Sequence, residues 1–414
     1  MTNRARIIAR GHDIGERIPR EFFSIHFASL NGWLGYTTPF LDIGQGAIRL
    51  WDTGTSGRTI INESNVYNYS RLDALVSIAE SHNQEITLTL GSLPLFMTGG
   101  VGPATGSYNP TPPTNIQYWI DYCTSVMSRY AGRIHKYETW NEFDLAQFWT
   151  GTVEQLSELT LALCNVRNTI DPNAKILSAS VSTFANSKAE AYYASAVDEV
   201  ATHMYVQPRE PEICAAIARS IKGSMRGNII NHPIVSTEGT WNNYYNAGTL
   251  VSGDNNPMPD ALAAAYVVRK FVSGRLGGAS QISFYGVDNF GFNNIRILDQ
   301  STKSIIQPAG IALQHLIALL VNGYIWGDPN DATFITSDGK IGRYLCSADN
   351  TTRTVDLSSY ASGVDVLGNP IVLSNNYTVT MSPIFVLNSK NAGLLFNGFW
   401  KDVGVWLDTN VWRD

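Results

Sequence analysis

Charge is what this chain has least of. Only 15% of its 414 residues are Asp, Glu, Lys or Arg, against about 25% in an ordinary soluble protein. The balance is acidic, −6 overall, which excludes the broad basic surface of a nucleic-acid binder. Cysteine is scarce: Cys123, Cys164, Cys214 and Cys346 form no CxxC pair and show no zinc-ligand spacing, so buried free thiols are expected. No apolar run reaches the roughly 18–20 residues that cross a bilayer, so no membrane partner is expected. The start, Met1-Thr2-Asn3-Arg4, has no apolar stretch of signal-peptide length. The expectation is synthesis in a cytoplasm, with any external role reached by lysis or on a virion. HExxH, a P-loop and a GxGxxG after a strand are all missing, so neither metal nor cofactor is expected.

What the chain does have is alternation. Short apolar runs at 21–27, 47–51, 85–90, 134–140, 175–179, 200–205, 233–238 and 281–285 alternate with helical patterns. The patterns include 70–81, 115–130, 153–169, 211–225, 260–275 and 308–320, and Thr152 and Pro259-Asp260 supply start signals. Eight such repeats predict an α/β fold, a (β/α)8 TIM barrel over residues 1–322. The first is the least regular, because 31–46 is rich in Gly, Thr and Pro. From 323 to 394, short β-type runs broken by Gly, Asp, Asn and Pro predict a small antiparallel β domain. Residues 395–414 form a tail with Trp400, Trp406 and Trp412, each followed two residues later by Asp. Three tryptophans are costly to leave in water, so either they pack on the β domain or they form a self-association or docking segment.

Two strand ends carry the chemistry. Tyr137-Glu138-Thr139-Trp140-Asn141-Glu142 stops on an Asn-Glu pair, and Pro233 to Glu238 ends on a second glutamate before Gly239. A barrel gathers its working residues at the C-terminal ends of its strands. On that rim the sequence places Arg49 and Trp51, then Trp140, Asn141 and Glu142, then His203 and Tyr205, then Glu238 with Trp241, and finally Tyr285. A lone strand-end Glu is more often a salt-bridge partner, and a lone His a structural one; their convergence on one rim is the signal. Two carboxyl groups suffice to cut a glycosidic bond. Glu142, among aromatics, would be the proton donor, and Glu238 the nucleophile, kept ionised by Arg49. His203 and Tyr205 would hydrogen-bond Glu238 or a sugar hydroxyl, Asn141 would hydrogen-bond the sugar 2-OH, and Trp51, Trp140, Trp241 and Tyr285 would offer flat faces to sugar rings or pack in the core.

The segments Arg49-Leu50-Trp51-Asp52-Thr53-Gly54-Thr55, Trp140-Asn141-Glu142 and Thr237-Glu238-Gly239 resemble the clan A glycoside hydrolases, and most nearly family 39 and related exopolysaccharide-degrading enzymes. The resemblance covers about 20–320. It implies a retaining double displacement with Glu142 as acid/base, Glu238 as nucleophile, and Arg49, Asn141, His203 and Tyr205 as supporting positions. Phe284-Tyr285-Gly286 stands where the clan usually has a Trp, and Phe143-Asp144 replaces the commoner Pro-Asn. The terminal Trp-x-Asp repeats resemble tails of some bacteriophage virion proteins. The sequence expectation is thus endo-cleavage of a β-linked capsule or exopolysaccharide, with the two carboxyls roughly 5–5.5 Å apart. The rival is a carbohydrate-binding or structural virion protein that kept the barrel and lost the chemistry.

Overall fold

The computed structural model describes residues 8–9, 12–13, 16–27, 42–102, 108–182, 197–225, 231–241, 243–253, 256–286, 294–299 and 306–391. The tail at 395–414 and most of the irregular first connection lie outside the described residues, as do Trp400, Trp406 and Trp412.

Eight parallel strands form one sheet: β1 (Phe23–His26), β2 (Ala47–Leu50), β3 (Glu85–Thr89), β4 (Lys136–Glu138), β5 (Lys175–Leu177), β6 (Val200–His203), β7 (Ile234–Glu238) and β8 (Ala279–Tyr285). They run in chain order, with β8 pairing β1. Between β5 and β6 a parallel bridge joins Leu177 to Glu199, and the Ala201 amide donates to Ser178 Oγ at 3.0 Å. These contacts close the sheet into a barrel. Among the described residues six of the strands bring a helix to the outside: α1 (Ser70–Ser81), α2 (Ile116–Tyr130), α3 (Val153–Ile170), α4 (Ile213–Ser224), α5 (Asp260–Gly277) and α6 (Pro308–Leu320) follow β2, β3, β4, β6, β7 and β8. At the start of α3, Thr152 and Gln155 satisfy each other's backbone amides in a capping box. Helix α5 is buried on nearly every side because it is covered by α4, α6, the barrel and the following β unit.

Side chains alternate across a strand, so every second residue points into the barrel. Here that interior is polar. Ser24 accepts from Ser283 at 2.8 Å, Lys136 bonds Gln281 and Glu199 near one end, and Arg49, Glu138 and Thr237 meet near the other. Low overall charge is therefore compatible with a dense buried charge cluster. The first strand begins later than its apolar run, because Arg20–Phe22 is a 3-10 turn.

The chain then forms an antiparallel sheet of five strands: β9 (Tyr324–Asp328), β10 (Asp331–Ile335), β11 (Lys340–Leu345), β13 (Ser362–Asp365) and β15 (Ile384–Asn391), in the order β9-β10-β11-β15-β13. Strands β12 (Arg353–Val355) and β14 (Tyr377–Val379) pair separately. Phe334, Tyr344 and Phe385 join the same apolar core as Leu316 and the barrel residues. Cys123, Cys164, Cys214 and Cys346 are free and buried, and among the described residues no helix is long and apolar enough to cross a membrane.

Candidate active site

Arg49, inward-facing on β2 and fully buried, organises the rim. Its Nε donates to Glu138 Oε2 at 2.8 Å, its Nη2 donates to Asn141 Oδ1 at 2.8 Å, and its Nη1 donates to Glu238 Oε1. Burial works to lower its pKa, but Glu138 and Glu238 raise it further, so the guanidinium is permanently charged. Glu138 accepts in addition from Thr89 Oγ1 at 2.5 Å and Thr237 Oγ1 at 3.0 Å. A buried carboxylate with those donors fixes the cation, and the fixed cation positions Glu238.

Glu142 lies beyond the end of β4, with its amide donating to Ser180 Oγ at 3.2 Å. Its φ of 38° is left-handed, a conformation that costs a non-glycine residue about 1–3 kcal/mol and collects at working sites. Burial, with Asp144 adding a like charge, pushes its carboxyl up to about 8. His203 Nδ1 lies 2.8 Å from Glu142 Oε1 and 3.5 Å from Glu238 Oε2, and Tyr205 Oη donates to Glu238 Oε2 at 2.8 Å. Burial pushes the His203 imidazole down to about 4, so it is neutral at pH 7. Its Nε2 is buried with no partner. A bare acceptor nitrogen is cheaper to bury than a bare N–H, which places the proton on Nδ1. His203 therefore donates to Glu142 Oε1 and leaves Oε2 to carry the acidic proton. One carboxylate oxygen from each glutamate and a ring nitrogen of His203 all lie within 4.8 Å of one another.

Glu142, Glu238, Arg49, Asn141, His203 and Tyr205 thus converge. The aromatics divide. Tyr285 is part-exposed and meets the rings of His26 and Tyr205 at 4.8 and 6.4 Å. Trp51, for which the sequence leaves a sugar-facing and a core role open, is buried, 2% exposed, and stacks on Tyr108 at 4.5 Å. Trp140 and Trp241, for which the sequence leaves a sugar-facing and a core role open, are core residues and offer no open face. Trp140 packs between Trp119 and Trp149 with its Nε1 donating to the Phe148 carbonyl, and Trp241 is wholly buried against Tyr266 and Lys270.

Four site residues were not singled out from the sequence. Glu138 and His26 sit inward on β4 and β1, where period-2 alternation could have found them. Asp52 directly follows Trp51 and accepts from Tyr108 Oη, with His26 Nε2 at 3.3 Å from its Oδ2. Burial opposes ionisation of Asp52, but His26 and Tyr108 outweigh it and hold its pKa below the ordinary value. Tyr108 arrives on the long loop after β3, and nothing in the sequence marks it.

No protein-family model matches the sequence, and no curated protein matches it. Solved structures do resemble it. A family 39 β-xylosidase from Caulobacter crescentus superposes with a TM-score of 0.63 at 14% identity, covering 94% of this chain and 98% of that one. A family 39 glycoside hydrolase from Bacteroides cellulosilyticus gives 0.63 at 14% identity, with 90% and 81% covered. A family 30 endoxylanase from Clostridium papyrosolvens gives 0.55 at 12% identity, with 94% and 98% covered. The fold is that of clan A glycoside hydrolases. The coverage, 90–94% of this chain, extends past the barrel into the C-terminal sheet. Among the described residues, two groupings could geometrically hold a cation: Glu142, His203 and Glu238, and His26, Asp52 and Glu238. Arg49 already neutralises Glu238 in both.

Proposed function

We propose that this chain is a retaining glycoside hydrolase cutting a β-linked polysaccharide, with Glu142 as acid/base and Glu238 as nucleophile. The observation that carries the reading is the pair's spacing: an oxygen of each carboxyl within 4.8 Å. Retaining enzymes hold their carboxyls about 5–5.5 Å apart, and inverting ones about 6.5–9.5 Å apart to admit a water. The surroundings agree with the division of labour. Glu142 is protonated at neutral pH, and Glu238 receives hydrogen bonds from Arg49 and Tyr205.

In the first step Glu238 attacks the anomeric carbon while Glu142 gives its proton to the departing glycosidic oxygen. The sugar is left as an ester on Glu238 and Glu142 is left ionised. In the second step Glu142 takes a proton from water, the hydroxide oxygen bonds the same carbon, and the Glu238 ester bond breaks. Asn141, fixed through Oδ1 by Arg49, keeps its NH2 for a sugar hydroxyl. The reading extends to endo-action on extracellular bacterial polysaccharide, a role to which a virion tail would deliver it. The endoxylanase among the structural neighbours and the hairpin of Asn243–Asn246 and Thr249–Ser252 raised after β7 support an extended substrate. Reducing-end release from capsule and exopolysaccharide preparations tests this. Wild type should release ends and Glu238→Gln should not; activity surviving in Glu238→Gln would show the nucleophile misassigned.

A further inference from the structure

We infer that the site takes an uncharged glycan, built of neutral sugars and free of uronate, sulfate or phosphate, and that Asp52 enforces this choice. The inference rests on the glycosidase reading and names its substrate class. An anionic sugar needs a cation to meet it, because a buried charge without a partner is expensive. Among the described residues Arg49 is the cation paired with the site carboxylates, and it is already bound to Glu138, Glu238 and Asn141 with no surface exposed. His203 is neutral and engaged with the two glutamates.

Four of the eight loops on this rim repeat the pattern: segments 27–46, 90–115, 139–152 and 239–259, which follow β1, β3, β4 and β7, contain no Lys or Arg, and the cations Arg58, Lys188, Arg209, Arg296 and Lys303 belong to the loops after β2, β5, β6 and β8. What they supply instead is aromatic and amide surface, including Tyr108 and Phe148 beside Trp51. Negative charge is plentiful. Asp52 keeps 18% of its side chain accessible beside Glu238, and Asp144 lies close enough to Glu142 to raise its pKa. Asp52 is held by the Tyr108 hydroxyl and by His26, which fix its carboxylate in place. A fixed, partly accessible carboxylate is a strong acceptor for sugar hydroxyls and repels a carboxylate or sulfate in the same place.

The test uses the full chain and two sets of β-linked polymers. Barley β-glucan, wheat arabinoxylan and galactomannan are neutral; mannuronate-rich alginate and hyaluronan carry β-linked uronates. Reducing ends are measured with wild type, and gel retardation by each polymer is measured with Glu142→Gln. Ends released from a neutral polymer and not from the uronates support the inference. Release from alginate or hyaluronan overturns it and leaves the glycosidase reading standing. If no polymer is cut, retardation decides: slowing by neutral polymers alone upholds the selection and faults the hydrolase reading, slowing by uronates overturns the selection, and slowing by none overturns both. Asp52→Asn should weaken retardation by the neutral polymer about 10-fold, as expected for losing a charge-assisted bond to a hydroxyl. Unchanged retardation would remove Asp52 from the account.

Discussion

Glu142 and Glu238 carry the same side chain in different surroundings, and most of what can be measured follows from that. As the proposed acid, Glu142 must be protonated to act, so kcat/KM should fall as pH rises through about 8. Glu142→Gln should lose that limb and about 10²–10⁴-fold in rate on an unactivated substrate; a limb that persists would assign the titration to another group. The same shift is a stability statement. Between 4.5 and about 8 the folded chain holds a proton that the unfolded chain has released, so the Glu142 contribution falls as pH rises. His203 acts in the opposite sense, adding stability as pH rises from about 4 to 6.5. Above 6.5 Glu142 acts alone of the two. The Tm of Glu142→Gln relative to wild type should therefore climb between pH 6.5 and 8, and a flat difference in thermal scans would contradict the raised pKa. Glu138 is the quieter partner. Removing its charge leaves Arg49 buried and half-paired, so Glu138→Gln should cost about 3–5 kcal/mol in denaturant unfolding and lower kcat together. A neutral result would mean that Arg49 is held by Glu238 and Asn141 without it.

Strand ends and the turns behind them set where those carboxyls stand. Gly91, just past β3, has a φ of 113°, and a Cβ there would stand 2.8 Å from the Trp140 ring. Trp140 precedes Asn141 and Glu142, so Gly91→Ala should lower Tm and shift the acid, with displacements of about 1 Å costing on the order of 10²-fold in rate. Full activity with an unchanged Tm would show that the ring can move freely. Much of this level was legible beforehand. Strands β2 to β8 and helices α1 to α6 announced themselves through period and start signals such as Thr152, since the strand face that packs under the helices demands apolar residues. The Asn-Glu and Thr-Glu-Gly ends marked the two carboxyls. Other features were hidden for physical reasons. Strands β9 and β10 are joined by Pro329 and Asn330, and their apolar runs are too short to stand out next to α6. Trp140 and Trp241 have the composition of sugar platforms and the burial of core, which only packing distinguishes. Tyr108 reaches Asp52 across 56 positions of chain, a contact that no local pattern encodes.

At the scale of the molecule, barrel and C-terminal sheet share one apolar core and one buried ionic knot. Arg269 on α5 bonds Glu212 at 2.6 Å and Asp349 at 2.6 Å, and Tyr266 also donates to Asp349. Asp349→Ala should therefore destabilise both parts together by about 3–5 kcal/mol, seen as one calorimetric transition moved to lower temperature. Two separated transitions would show that the sheet folds on its own. The account's central claim, however, concerns the fate of the sugar. Proton NMR of the first product released from a polysaccharide the chain cleaves tests it most directly. Double displacement through Glu238 predicts that the β-anomer appears first and the α-anomer only later by mutarotation. An α-anomer formed first would mean inversion, with water in place of Glu238, and would contradict the account.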